Sequence, residues 1–181
     1  SLADPFIITF NKKFYCFMEK YNLKSKKGSI CAYEINRNSY IEIGNVLEEK
    51  FHLSFPYLFK YKSNIYMIPE SSKNNDLRIY KAISFPKKWS LYKIIFSNIS
   101  CADSMIFEYN KKWWLFTNID RTNYGDHSSE LFIYYSNNPI NGKWHAHQNN
   151  PVIQDPDSAR NGGILYQNKE IYRVSQKFDF N

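Results

Sequence analysis

Apolar residues in this chain recur in short alternating runs, not at helical spacing. In "DPFIITFNKKFYCFME", from Asp4, an apolar run meets an Asn-Lys-Lys turn, an aromatic residue and a second run, with a carboxylate at each end. Alternation punctuated by Asn, Lys and Ser predicts a β-hairpin. Three further segments align with it without gaps: "FPYLFKYKSNIYMIPE" from Phe55, "DSMIFEYNKKWWLFTN" from Asp103 and "NGGILYQNKEIYRVSQ" from Asn161. Each holds an aromatic at the same place in its second strand: Tyr15, Tyr66, Trp114 and Tyr172. The spacing is a repeat of roughly 50 residues.

Between the hairpins lie further alternating segments. "SICAYEI", "DLRIYKAI" and "ELFIYYS" predict third strands, and "SYIEIGNVL", "WSLYKIIF" and "KWHAHQNNPVI" predict fourth ones. Four short strands per repeat is the pattern of propeller blades. Helical patterning is absent. The expected fold is therefore all-β, a single β-propeller domain over residues 1–181 with blades starting near residues 4, 55, 103 and 161. Three repeats and half a fourth fall short of the usual closure by four to eight blades. The propeller is thus expected to be incomplete and part of a longer polypeptide.

Composition agrees with strands: 18% of residues are aromatic, from 4 Trp, 15 Tyr and 14 Phe, and such residues fit pleated surfaces. No run approaches the roughly 20 apolar residues that span a bilayer, and no basic segment with an apolar core leads the chain. Cys16, Cys31 and Cys101 lack metal-type spacing, and buried free thiols in a reducing, cytoplasmic compartment are the expectation. His145 and His147 are expected on an exposed strand face. The net charge of +7 comes from 24 Lys and Arg against 17 Asp and Glu. Its lysines are scattered among turns, so no nucleic-acid partner is predicted. No phosphate-cradling glycine motif occurs, and no cofactor or metal is predicted.

Hairpin geometry bears on the terminal carboxylates. A hairpin folded about residues 11 and 12 places Asp4 opposite Glu19. The same construction sets Phe55 opposite Glu70, Asp103 opposite Asn118, and Asn161 opposite Gln176. In a propeller these positions converge on the mouth of the central channel. A ring of acids, amides and nearby aromatics suits sugar, because hydroxyls pair with carboxylates and amides while aromatic faces stack on the ring. The competing reading is that these residues cap strands and satisfy loop amides. Arg160, beside Asn161, suits an anionic ligand or a salt bridge to Asp155, Asp157 or Asp103. His52 joins the site or bonds a loop. Trp113 and Trp114 are assigned to the core.

"HLSFPYLF…YMIPES", "RIYKAISFPKKW", "WWLFTN", "LFIYYSNNPINGKW" and "SARNGGILY" resemble the propeller domain at the N-terminus of plant glucosamine inositolphosphorylceramide transferases and its bacterial relatives. The blade openings are also similar to those of five-bladed propellers in glycoside hydrolase families 43, 32 and 68. The resemblance implies a five-bladed propeller with a role in surface polysaccharide or glycolipid synthesis, beside sugar-modifying domains such as formyltransferases in bacteria. It maps the family 43 general base to Asp4 and the residue that tunes the acid to Asp103. The usual general acid is replaced by Asn161, which cannot deliver a proton. Glu70 and Glu19 are candidate replacements, as are Asp155 and Asp157.

Three readings follow. The leading one is a carbohydrate-recognising propeller with Asp4, Asp103 and Glu70 as catalytic candidates. Glu19, His52, Asn118, Arg160, Asn161 and Gln176 are its binding candidates. Its ligand would be a glycan, glycolipid or sugar-phosphate. The second is a glycoside hydrolase with a relocated general acid. The third is a protein-interaction propeller, since one fold hosts many functions.

Overall fold

A computed structural model describes residues 1–168 and 170–177. Among these residues, apart from one 3-10 turn at Ser72–Asn74, the regular elements are all strands, as the patterning predicts. The backbone groups into two compact units, residues 1–97 and 98–181.

The first unit holds two antiparallel four-stranded sheets. One runs β1 (Leu2–Phe10), β2 (Lys13–Asn22), β3 (Lys27–Ile35), β4 (Tyr40–Leu47), and the other β5 (Ser54–Tyr61), β6 (Asn64–Glu70), β7 (Asp76–Ser84), β8 (Lys88–Ser97). Alternation along β2 and β3 sends Tyr15, Phe17, Ile30 and Ala32 to one face, where they pack with Leu53, Met67 and Tyr80. Phe85, at the β7–β8 turn, sets its ring 4.7 Å from Phe10, 5.0 Å from Tyr15 and 5.8 Å from Phe17. Burial of such rings supplies most of the favourable free energy of a sheet pair.

The second unit holds β9 (Ser100–Tyr109), β10 (Lys112–Asp120) and β11 (Glu130–Ser136), then the short β12 (His145–Ala146) and β13 (Ile153–Gln154), and the hairpin β14 (Asn161–Gln167) and β15 (Glu170–Ser175). Met105, Ile106, Leu115 and Leu131 are fully buried. Trp113 is buried, and the half-buried Trp114 donates its indole N–H to the Tyr109 carbonyl. One expectation needs correction. "KWHAHQNNPVI" is not one outer strand but two fragments, β12 and β13, that both pair with β11. Asn150 fills the interval between them. Its amide oxygen accepts from the Ile133 N–H at 2.8 Å, and its amide nitrogen donates to the Ile133 carbonyl at 2.8 Å. His145 is exposed on β12, as expected, but His147 lies just beyond that strand and is half-buried, its amide donating to the Ile133 carbonyl.

The turns explain the hairpin register. Phe10 pairs with Lys13 and Tyr109 with Lys112, leaving two-residue loops. Asn11, Lys12, Asn110 and Lys111 all have positive φ, as the type I′ turn requires, and its twist matches that of the flanking strands. All three cysteines are free and buried. Among the described residues no helix is long and apolar enough to cross a membrane.

Candidate functional site

Each first strand carries a feature the alternation does not show. Phe6 pairs with Phe17 as predicted, but Ala3, not Asp4, stands opposite Glu19. Asp4 and Pro5 share the space of one residue, which is a β-bulge. The same slip puts Ser54 rather than Phe55 opposite Glu70, Ala102 rather than Asp103 opposite Asn118, and Asn161 opposite Ser175 rather than Gln176. Asp4, Phe55 and Asp103 have φ of 50, 45 and 47°. Such backbone costs of the order of 1–3 kcal/mol per residue and tends to gather at functional sites. Pro5 and Pro56 follow two of these residues, where a missing N–H is tolerated because the ladder is interrupted.

In the first unit the bulge of one sheet grips the bulge of the next. Asp4 Oδ2 accepts a hydrogen bond from the Phe55 amide at 3.1 Å. Beside it, Glu19 Oε1 lies 3.5 Å from His52 Nε2. His52 Nδ1 accepts from the Gly28 amide at 3.0 Å, so the proton of the neutral ring sits on Nε2, facing Glu19. Glu70 Oε1 accepts from the Ser72 hydroxyl at 2.6 Å. The structure thus brings together Asp4, Glu19, His52 and Glu70.

Crowding sets their electrostatics. Burial, reinforced by the nearby Asp4 and Glu70 carboxylates, pushes the Glu19 carboxyl up to about 7. Burial pulls the His52 imidazole down, helped by the Lys73 ammonium and opposed by Asp4. Glu19 therefore exchanges a proton near neutrality, the property wanted in a general acid or base. Gly28 makes the arrangement sterically feasible, because a Cβ there would lie 2.4 Å from the Leu53 carbonyl oxygen and 2.7 Å from Glu19 Oε1.

The second unit brings together Asp103, Asn118, Arg160, Asn161 and Gln176, in a network turned inward. Asp103 is 2% exposed, and its Oδ2 accepts from Arg160 Nε at 2.6 Å and Gln176 Nε2 at 3.0 Å. The salt bridge weighed for Arg160 is present. Asn118 and Asn161 are fully buried. Asn118 Nδ2 donates to the Glu130 and Ala159 carbonyls, and its Oδ1 accepts from the Asn161 amide at 3.0 Å. Asn161 Nδ2 donates to the Asp103 carbonyl at 2.9 Å. These amides satisfy backbone groups at the bulged Asp103 and Asn161 and the carbonyls of Glu130 and Ala159. Asp155 binds its own turn, accepting from the Asp157 amide and the Ser158 hydroxyl.

Sequence reading missed one contact here. Ser100 Oγ and His127 Nε2 are 2.8 Å apart. Burial lowers the His127 pKa, against the pull of Asp120. Asp120 is itself engaged by the Thr122, Asn123 and Gly125 amides and the Thr122 hydroxyl. Nothing in the spacing of Ser100 and His127 announces the pair. Among the described residues, no group of three or more His, Cys, Asp or Glu is arranged to hold a metal ion.

Comparison with known proteins places this geometry in a family. The family model described as glucosamine inositolphosphorylceramide transferase 1, N-terminal, matches residues 1–180. A protein named glucosamine inositolphosphorylceramide transferase 1 from Oryza sativa subsp. japonica is 38% identical over 181 residues, covering 97% of this chain and 24% of its own length. The protein of that name from Arabidopsis thaliana is 37% identical over 182 residues, covering 97% and 23%. The chain therefore spans about a quarter of the length of these relatives. Among solved structures, a family 117 glycoside hydrolase from Zobellia galactanivorans superposes with a TM-score of 0.71 at 15% identity, over 100% of this chain and 64% of that one. An exo-beta-1,3-galactanase from Phanerochaete chrysosporium gives 0.72 at 11% identity, over 95% and 41%. The alpha-L-arabinanase of Cellvibrio cellulosa gives 0.65 at 12% identity, over 96% and 67%. The fold is that of the five-bladed glycoside hydrolase propellers.

Proposed function

Because the chain belongs to the glucosamine inositolphosphorylceramide transferase 1 N-terminal family, we propose that it is the carbohydrate-recognising propeller of a longer protein. It would serve glycolipid or surface polysaccharide assembly beside a fused or partner sugar-modifying domain. The observation that carries this reading is the first-unit cluster, where Asp4, Glu19, Glu70 and His52 meet and the Glu19 carboxyl rises to about 7. Carboxyl and imidazole groups at one place offer both donors and acceptors to sugar hydroxyls. The second-unit residues contribute mainly by fixing strands, since Asn118 and Asn161 spend their amides on backbone groups. The buried free thiols favour a reducing compartment.

Glu19 also gives weight to a second reading, glycoside hydrolysis with a relocated acid. Hydrolysis ordinarily needs two carboxyl groups about 5 to 10 Å apart, one protonated and one ionised. Glu19 supplies a proton that Asn161 cannot, and the resemblance to family 43 assigns Asp4 the base role.

The test is a glycan-array and sugar-nucleotide screen on wild type beside Asp4→Asn and Glu19→Gln, with ligands checked by mass spectrometry. Saturable binding that either variant weakens, with the ligand intact, supports recognition. Cleaved glycan that disappears in Glu19→Gln supports hydrolysis. Binding to no glycan or sugar nucleotide overturns both and leaves the protein-interaction reading.

A further inference from the structure

We propose that the cleft lined by Lys26, Lys27, Lys50 and Lys73 in the first unit is a subsite for a phosphate group carried on the sugar ligand. The inference rests on the glycan-recognition reading above and names the ligand class it would select. Lysines scattered along the chain converge here. Lys26 comes from the β2–β3 turn, Lys27 from the start of β3, Lys50 from the segment before β5, and Lys73 from the 3-10 turn. The cleft measures about 490 Å³, within the range of small-ligand sites.

The charges are unequally matched. Lys27 Nζ donates to the Glu49 carbonyl at 2.8 Å and lies 3.1 Å from Glu48. Among the described residues, Lys26, Lys50 and Lys73 make no side-chain hydrogen bond or ion pair. Glu70 is the one carboxylate in the lining, and the Ser72 hydroxyl engages it. Unpaired cations converging on a concave surface focus a positive potential, which an anion relieves. Ammonium groups on flexible stems can each meet a different phosphate oxygen.

The cleft is also continuous with the candidate site. His52 lines it and faces Glu19 on its Nε2 side. The Tyr21 ring, another part of the wall, lies 5.9 Å from the His52 ring. A sugar lying against Tyr21 would place its hydroxyls toward Glu19 and its phosphate toward the lysines. Arg160 was the sequence candidate for an anionic group, but its guanidinium is paired with Asp103, and the lysine cleft supplies the cations instead. A single open cleft with an aromatic wall fits one anionic group better than the extended basic track that nucleic acid requires.

The experiment titrates the 181-residue chain with inorganic pyrophosphate, glucose 1-phosphate and glucose, following amide NMR shifts and calorimetry. The variants are the triple substitution Lys26→Gln/Lys50→Gln/Lys73→Gln and, as control, Lys87→Gln on the exposed β7–β8 turn. Expected are shifts centred on these lysines, glucose 1-phosphate bound at least about tenfold more tightly than glucose, and loss of that advantage in the triple variant and at high salt. Competition by vesicles containing phosphatidylinositol, but not by phosphatidylcholine alone, would assign the phosphate to a lipid headgroup. Absence of competition would assign it to a free sugar phosphate. No shifts at the cleft, equal affinity for both sugars, an equal loss in Lys87→Gln, or tighter binding of a single-stranded oligonucleotide would overturn the proposal. Neutral glycans retained on the array despite such a result would leave the recognition reading standing. Phosphate binding at the cleft with no glycan bound would do the reverse.

Discussion

Asp4 and Phe55, 51 residues apart, are joined by a hydrogen bond of 3.1 Å from the Phe55 amide to the Asp4 carboxylate. Both residues occupy bulges and both have positive φ. A bulge removes an amide from the strand ladder, and here the carboxylate from the preceding sheet satisfies it. Asp4→Ala should cost about 1–3 kcal/mol, because it strands that amide and removes a charged acceptor. Asp4→Asn should cost less, since asparagine keeps an acceptor and tolerates the left-handed backbone. Urea unfolding of the two variants checks the order. Equal losses would mean that the carboxylate is not the clamp.

Glu19 predicts a pH dependence of stability with a definite sign. Its folded pKa, about 7, lies above its value in an unfolded chain, so the folded state binds more protons between about 4.5 and 7. Stability from this group is therefore full below about 4.5 and falls as pH rises through about 7. Glu19→Gln should gain stability over wild type across that window and level off above it, by about 1–3 kcal/mol. Unfolding at several pH values measures the difference directly, and a difference independent of pH would refute it.

Gly28→Ala tests the packing around that carboxyl. Its added Cβ would meet the Leu53 carbonyl oxygen, Glu19 Oε1 and His52 Cε1 at 2.4, 2.7 and 2.9 Å. Backbone cannot yield as a side-chain tip can, so the substitution should destabilise by about 1–3 kcal/mol. It should also move the His52 ring resonances in an NMR spectrum. A fully stable variant with unchanged His52 shifts would show that the site has room to spare.

Asn118→Ala should be among the more damaging single changes in the second unit. It takes the side-chain amide away from the Glu130 and Ala159 carbonyls and the Asn161 amide, and the Ala159 carbonyl keeps only the Arg173 guanidinium, at roughly 1–3 kcal/mol for each group left buried and unsatisfied. Thermal unfolding is the readout. A drop in Tm no larger than that of an exposed control such as Asn141→Ala would contradict the role assigned to the buried amide.

Lys12 offers a change in the opposite direction. It holds φ of 62° in a two-residue turn, where glycine is favoured and an L-residue pays roughly 1–2 kcal/mol. Lys12→Gly should raise stability by up to about 1 kcal/mol, measured by urea midpoint. A loss would mean that the lysine side chain contributes more than its backbone costs.

The repeat of alternating runs made the hairpins and their turns legible, because the period-two signal is strong and "NKK" sits where a tight turn is required. The bulges were not legible. One extra residue in the first strand leaves alternation on either side intact, yet it moves Asp4, Phe55 and Asp103 off the register that counting assigns. Candidate residues could be grouped by their place in the repeat, but not told apart by what their side chains would meet. Glu19 and Asn118 occupy equivalent strand ends, and one became a proton-exchanging acid while the other became a backbone plug. The convergence of Lys26, Lys50 and Lys73 was hidden for a related reason: each lies in a separate turn.

Asn150 has a further consequence for how this protein keeps its own company. An outermost strand normally presents a row of open amides and carbonyls on which another chain can template, and natural sheets guard against such intermolecular pairing. On β11 the outer partner is broken in two, and the open site left at Ile133 is closed by a side-chain amide that copies the donor and acceptor of a strand residue. With the His147 amide also donating to the Ile133 carbonyl, Asn150 thus leaves no open backbone group at Ile133 on which a foreign strand could pair.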